Sequence, residues 1–256
     1  MIYVTGDTHL DSEGRFNTRV FPEQRQMTKE DFLIICGDFG GVLFSEETKQ
    51  EAKWLEEFEQ RPFTTLFVDG NHENHERLAS YPVREWNGGM VHVIRPHVLH
   101  LMRGQVFMLQ GKTFFTFGGA QSTDVEGGLL ELDDPNLKRK KAELRRRHVA
   151  FRVNRYDWWK EELPSPEELE EGLRNLAVHG NAVDYIITHC CAASTQELLG
   201  DDRYPQNVLT DYFEQIKNTV SFRKWFFGHY HDVRGIEAMD LGEKETFLYK
   251  QLVRVV

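Results

Sequence analysis

Residues 64–77 read TTLFVDGNHENHER. The β-branched and aromatic run from Thr64 to Val68 has the length and composition of a strand, and Asp69-Gly70 ends it. Beyond the glycine come Asn71-His72-Glu73, and then an echo, Asn74-His75-Glu76. Two histidines three residues apart suit either a metal-binding pair on one helical turn or one working residue with a chance neighbour. What the other strand ends carry decides between them.

The same arrangement recurs along the chain. Asp7 and His9 follow IYVTG, Asp38 follows LIICG, His189 follows YIIT, and His229 and His231 follow WFFG. In an α/β sheet the loops beyond the carboxyl ends of neighbouring strands converge on one crevice, the usual ligand site. Glycines precede Asp7, Asp38, Asn71 and His229, where a sharp turn and close backbone approach are needed. Singly, each signal is weak: Gly-Asp is most often a turn, and a lone strand-end histidine is more often a packed one. Five in order point to a site.

Working outward, strand-like runs also occupy MVHVIRPHVLHLM, VFMLQGKTFFTFGG and TFLYKQLVRVV. Between the runs lie helical patterns. One runs from Ser45 to Gln60, with Ser45 as N-cap and Ala52, Leu55 and Phe58 on one face. Ser165-Pro166-Glu167-Glu168 is a capping box that opens a helix to about Val178, and a third helix spans about Asn207 to Lys217. Hairpin-like strands in the middle predict mixed sheets rather than a purely parallel one. With no repeat or linker, residues 1–256 read as a single α/β domain, with a basic insert or flap at about 136–160.

The composition, 40% hydrophobic and 28% charged, is that of a soluble globular chain. No uncharged apolar run is long enough to cross a bilayer, so no membrane partner is expected and the expected compartment is the cytoplasm. Three cysteines, two of them adjacent (Cys190, Cys191), fit a reducing environment. A net charge of -10 argues against coating nucleic acid with the whole surface, though not against a local basic groove.

The strand ends deliver the carboxylates of Asp7 and Asp38, the carboxamide of Asn71 and the imidazoles of His9, His72, His189, His229 and His231. This donor mixture suits Mn, Fe, Zn or Co better than Ca or a thiolate-seeking ion. It is too many ligands for one ion. Two ions about 3.5–4 Å apart, bridged by a carboxylate, use them comfortably and clamp the oxygens of a phosphoryl displacement.

In order, Asp7-x-His9, Gly37-Asp38, Gly70-Asn71-His72-Glu73, His189 and Gly228-His229-x-His231 resemble the five-block signature of the calcineurin-like metallophosphoesterases. The resemblance implies a four-layer α/β/β/α sandwich with mixed β-sheets and a two-metal phosphoesterase activity. It implies that Asp7, His9, Asp38 and His231 hold one divalent ion. Asp38, as the bridge, joins Asn71, His189 and His229 on the other. Mn2+ is favoured over Fe, Zn and Co. Hydroxide generated on the metals attacks phosphorus, and His72 faces the phosphate and assists the leaving oxygen; Asp38 and His72 are thus the catalytic pair, with Asp38 or Asp7 orienting the imidazole. The echo then resolves: His75 falls on the next helical turn, to about Ser80, and is expected on the rim of the site within reach of substrate.

Two departures stand out. Gly41 occupies the place where many members carry a further acid after the second block, and Cys190-Cys191 follow His189 where small residues or proline are common. These thiols are read as packed hydrophobes, with oxidation sensitivity as the alternative.

Substrate is less legible. Residues 138–155, KRKKAELRRRHVAFRVNR, hold nine of the 31 Lys and Arg and one acid, Glu143, a net +8 that leaves -18 on the rest. Such a run is either a solvated face, paired with acids such as Glu167 to Glu171, or a flap that recruits a nucleotide or nucleic acid, with Arg145 and Arg152 as substrate contacts. Trp158 and Trp159 would stack a base or anchor the flap. Phosphodiester or nucleotide substrates are expected; the alternatives are phosphomonoester or phosphoprotein hydrolysis, or a non-catalytic scaffold.

Overall fold

The computed structural model describes residues 1–10, 14–200, 203–230 and 238–256. Seven strands form one sheet in the order β15 (Val253–Arg254), β1 (Ile2–Thr5), β2 (Phe32–Ile35), β3 (Thr64–Phe67), β6 (Val98–Leu101), β5 (Gly89–Arg95) and β4 (Val83–Trp86). Six form a second, in the order β13 (Ala238–Leu241), β14 (Glu245–Leu248), β12 (Lys224–Phe227), β11 (Tyr185–Thr188), β8 (Lys112–Phe117) and β7 (Gln105–Leu109). Both are mixed. β1, β2, β3 and β6 run parallel in the first and β8, β11, β12 and β14 in the second, with antiparallel strands at the edges.

The period-two alternation of the strands explains why the sheets stack. Ile2 and Val4 of β1, Ile34 of β2 and Leu66 of β3 point inward and meet Phe114, Ile187, Phe226 and Leu248 of the second sheet in one buried cluster. Their neighbours Tyr3, Leu33, Ile35 and Phe67 point outward and are covered by Trp54, Leu55 and Phe58 of helix α1 (Lys49–Gln60) and Leu78 of α2 (His75–Ser80). On the far side, Phe115, Phe117, Ile186, Trp225 and Phe227 are covered by Leu176 of α4 (Pro166–Val178) and by Leu209, Phe213 and Ile216 of α6 (Val208–Thr219). Three apolar layers between four structural layers make the expected α/β/β/α sandwich.

The capping box at Ser165 and Glu168 starts α4 at Pro166, as the sequence predicts, and α6 begins after Asn207, which caps it. The first helix is shorter than expected. Thr48, not Ser45, is its N-cap, because Glu51 closes a capping box with Thr48 and also accepts the amides of Leu43 and Phe44, which holds the preceding segment as a loop. The basic region contains α3 (Leu137–Arg146), none of whose residues is buried, and a two-stranded ladder of β9 (Leu129–Leu130) and β10 (Arg152–Val153). A short α5 (Ala193–Leu199) follows β11. Among the described residues no helix is long and apolar enough to cross a membrane.

Candidate metal centre

The loops after β1, β2, β3, β11 and β12 meet at one end of the two sheets. Asp38 is the hub. Its Oδ2 lies 3.5 Å from His9 Nε2, 3.3 Å from His189 Nε2 and 3.9 Å from His72 Nε2, while its Oδ1 accepts the backbone N–H of His72 at 3.0 Å. Asp7 Oδ2 is 3.8 Å from His9 Nε2, and Asp7 Oδ1 accepts the backbone N–H of His229 at 2.9 Å. The His229 ring packs edge-on against His189 at 4.9 Å. His231 lies outside the described residues.

Close approach explains two of the glycines. A Cβ on Gly70 would sit 2.0 Å from Asp38 Oδ1, and one on Gly228 would sit 2.1 Å from Asp7 Oδ1. His9, Asp38 and His229 themselves hold left-handed backbone at φ of 45°, 48° and 69°. Such conformations are uncommon for non-glycine residues and gather at functional sites.

The proton inventory shows whether the residues fit a metal. His189 Nδ1 is 2.7 Å from the carbonyl oxygen of Cys36, so that nitrogen carries the hydrogen and donates it. In the uncharged ring Nε2 is then a lone pair, aimed at Asn71 Oδ1 (3.2 Å) and Asp38 Oδ2 (3.3 Å), both of which also carry lone pairs. Three converging acceptors need a cation among them. A proton can fill the same role: burial alone disfavours charge on His189, but Asp38 and Asp7 outweigh it and lift its pKa to about 10. His9 is lifted to about 9 against burial, by Asp38 and Asp7. Both carboxyls are held below their ordinary range, against burial, with His189 as the leading charge. Asp7, His9 and Asp38 present ligand atoms within 4.8 Å of one another. Hard oxygens and imidazole nitrogens at this density fit divalent metal.

Groups that the sequence reading passed over hold this arrangement. Glu73, fully buried, accepts the amides of Gly70 at 2.6 Å and Gly40 at 3.2 Å and so ties the β3 loop to the β2 loop. Burial, and then Asp38, push its pKa up to about 8. Its place in the Gly-Asn-His-Glu block was the available signal. Asn71 Nδ2 donates to Ser122 Oγ at 3.2 Å, and Ser122 gives its hydroxyl and amide to the two oxygens of Glu162 at 2.6 and 3.0 Å. Trp158 also bonds Glu162, whose pKa rises to about 7 through burial. This relay turns the Asn71 carbonyl oxygen toward His189; nothing in the spacing of residues 71, 122 and 162 announces it.

His72 has a partner beyond the expected ones. Asp38, one of the two expected, takes its amide and faces Nε2, while Nδ1 is met by Arg152, whose Nη2 lies 3.4 Å away. Arg152 in turn is gripped on two nitrogens by the carboxylate of Asp124, one bond measuring 3.0 Å. Burial and then Arg152 draw the His72 pKa below its ordinary value, against Asp38. Among the described residues, Arg152 is the member of the basic run that reaches a metal-centre side chain. Arg145 is exposed over the Phe151 ring at 6.0 Å, Arg147 lies near Glu143 and Lys140 bonds Asp134. Of the acids at 167–171, named as partners for the run, Glu168 bonds Arg103 and Glu171 bonds Arg174.

His75, expected on the rim, is instead 91% buried, 3.9 Å from Asp69, because it begins a helix whose inner face packs beneath the loop. Trp159 is buried and anchors the insert. Cys190 and Cys191 are buried free thiols, and burial pushes the pKa of Cys190 well above the ordinary thiol range. Position 41 backs onto Phe39 and Leu55, where a Cβ would come within 2.5 and 2.8 Å, so no acid fits there.

Comparison with known proteins bears on the centre. A family model described as calcineurin-like phosphoesterase matches residues 1–233. Lariat debranching enzyme A of Xenopus laevis is 30% identical over 97 residues, which cover 33% of this chain and 18% of that enzyme. The chain therefore spans less than a fifth of that relative's length. The crystal structure of phosphopantetheinyl hydrolase from Mycobacterium tuberculosis aligns with a TM-score of 0.41 and 14% identity, over 97% of this chain and 87% of that one.

Proposed function

The chain belongs to the calcineurin-like phosphoesterase family, and we propose that it is a metal-dependent hydrolase of phosphoesters whose substrates are phosphodiesters or nucleotides. In this reading Asp7, His9, Asp38 and His231 hold one divalent ion. Asp38, shared with the first, Asn71, His189 and His229 would hold the second, with Mn2+ preferred. When bound, the ions supply a water of lowered pKa and compensate the charge that spreads over the phosphoryl oxygens.

The observation that carries the proposal is the contact between Arg152 and His72. A guanidinium only donates, so at His72 Nδ1 it meets a lone pair and the ring's hydrogen resides on Nε2. Nε2 is the nitrogen that faces Asp38. His72 thus presents an N–H toward the centre, able to assist a departing alkoxide as general acid. Asp124 neutralises Arg152, so the pair adds little net charge beyond the metals. That balance suits a singly charged diester better than a doubly charged monoester.

The exposed cations of residues 138–155 would recruit a polyanionic substrate to this centre, and three buried, unpaired cysteines suit a reducing, cytoplasmic compartment. The test is a comparison of kcat/KM on bis-p-nitrophenyl phosphate, p-nitrophenyl phosphate and nucleoside esters with Mn2+-loaded protein. Diester or nucleotide turnover at least tenfold above p-nitrophenyl phosphate is expected; the reverse order overturns the reading.

A further inference from the structure

Behind the loop that carries Asn71 and His72 lies a second cavity, about 450 Å³ in volume. None of its lining residues belongs to the set around Asp38. One wall is apolar, made by Leu78, Ala79, Met102, Leu163 and Pro164; the other carries His75, His92 and His100 with Asp69 and Arg103. The volume is within the range of small-molecule sites.

A chain of bonds fixes the hydrogens on the polar wall. Asp69 accepts two bonds from buried Arg103, at 3.0 and 2.6 Å, and is therefore ionised. His100 Nε2, 3.1 Å from Asp69 Oδ1, must donate to it. With its hydrogen given to Asp69, His100 offers a lone pair at Nδ1, and His92 Nδ1 lies 2.9 Å from it and donates. This leaves His92 Nε2 as a bare acceptor on a ring that lines the cavity. Burial, and then His100, lower the His92 pKa to about 4, so the ring is uncharged at neutral pH.

His75 supplies a second observation. It lines the same cavity, burial lowers its pKa to about 4, and its Nε2 has no hydrogen-bond partner among the described residues. That nitrogen is closed to solvent, so a turn of the ring toward the cavity is needed before a ligand hydrogen bond can offset the roughly 1–3 kcal/mol that an unpaired buried polar atom costs. The charge of Arg103 is already taken up by Asp69 and by Glu168 at 3.2 Å. Lys160 also lines the cavity, 3.9 Å from Glu161, so with the carboxylates and imidazoles the lining carries no clear excess of positive charge and favours an uncharged, flat body that donates N–H bonds.

We propose that this cavity binds an uncharged nitrogen heterocycle with N–H donors, of nucleobase size, through His92 and His75. The heterocycle is either the base of a nucleotide substrate or a free effector, and its binding does not depend on the hydrolytic reading.

The probe is adenosine, titrated into the Mn2+-loaded protein while the histidine imidazole resonances are followed by NMR. Saturable shifts at His75 and His92 are expected. They should vanish in Ala79→Trp, where an exposed position at the mouth admits an indole, and weaken at least tenfold in His92→Phe, with cooperative thermal unfolding retained in both. Adenosine that competes with a nucleoside ester yet leaves bis-p-nitrophenyl phosphate turnover unchanged identifies the substrate's base; adenosine that alters that turnover identifies an effector. The proposal is overturned if millimolar adenosine gives no saturable shift, if binding persists unchanged in both Ala79→Trp and Met102→Trp, or if inorganic phosphate displaces adenosine at these resonances.

Discussion

Arg152 Nη2 and His72 Nδ1 lie 3.4 Å apart, so a residue of the basic insert sets which nitrogen of the imidazole holds its hydrogen. Replacing Arg152 by Met keeps the aliphatic stem and removes the donor. We expect kcat on bis-p-nitrophenyl phosphate to fall about 10- to 100-fold, part of the roughly 10²–10⁴ that general acid catalysis supplies. Metal content, measured by plasma mass spectrometry, should stay at the unsubstituted protein's level. A change in KM alone would show that Arg152 serves binding only.

The cations of α3 act at longer range. Neutralising Arg145, Arg146 and Arg147 together should raise KM for a charged nucleotide ester and leave bis-p-nitrophenyl phosphate turnover unaffected. Added salt should erase the difference, since the Debye length shrinks from about 10 Å at 0.1 M to about 3 Å at 1 M. Equal effects on both substrates count against recruitment by this helix.

Ser122 makes no contact with a reacting atom in this scheme, yet it sets the direction of the Asn71 amide. Ser122→Ala should weaken binding of the second Mn2+ by about 10- to 100-fold, the usual scale for losing a bond that orients a ligand. Isothermal titration reads this without reference to turnover, and Ser122→Thr, which retains the hydroxyl, should restore affinity. Unchanged affinity in the alanine variant excludes the relay.

The cavity histidines make stability depend on acid. The unfolded chain protonates His92 near 6.5 and the folded chain only near 4. Between those values the unfolded state binds more protons, so this contribution to stability falls as pH falls through the window and is fully lost below it. Glu162 and Glu73, lifted to about 7 and about 8, act in the opposite direction above about pH 4.5. The difference between parent and His92→Phe therefore isolates the effect. Urea unfolding across the window should show the parent losing stability relative to the variant by up to about 1.4 kcal/mol per pH unit. A constant difference contradicts the assignment.

Burial also makes the cysteines unreactive. Peroxide at low millimolar concentration should leave thiol counts in the folded protein unchanged, and unfolding in urea should expose all three. Rapid oxidation of Cys190 or Cys191 in the native protein would contradict their burial.

Much of the fold was legible because its signals are local. Strand runs ending at Gly, the Ser165 capping box and the turn from Asn74 into α2 each depend on a few adjacent residues. The strand-end donors were readable for the same reason. What escaped was set by packing between distant segments. Thr48 displaced Ser45 because Glu51 folds back on the preceding loop, and His75 was drawn inward beneath that of β3. Arg152 reaches His72 across 80 positions and Glu162 reaches Ser122 across 40, contacts that no periodicity encodes.

Asp7 from the first sheet holds the His229 amide of the second, and His189 from the second holds the Cys36 carbonyl of the first. Two clasps running in opposite directions make the catalytic end a gauge of how the halves are aligned. A core substitution that slides one sheet against the other, even at the far end, would be read out as altered metal affinity before it registers as unfolding. Metal titration could thus serve as a strain sensor for the whole sandwich, and designers reshaping either half would have to move both ligand loops in concert.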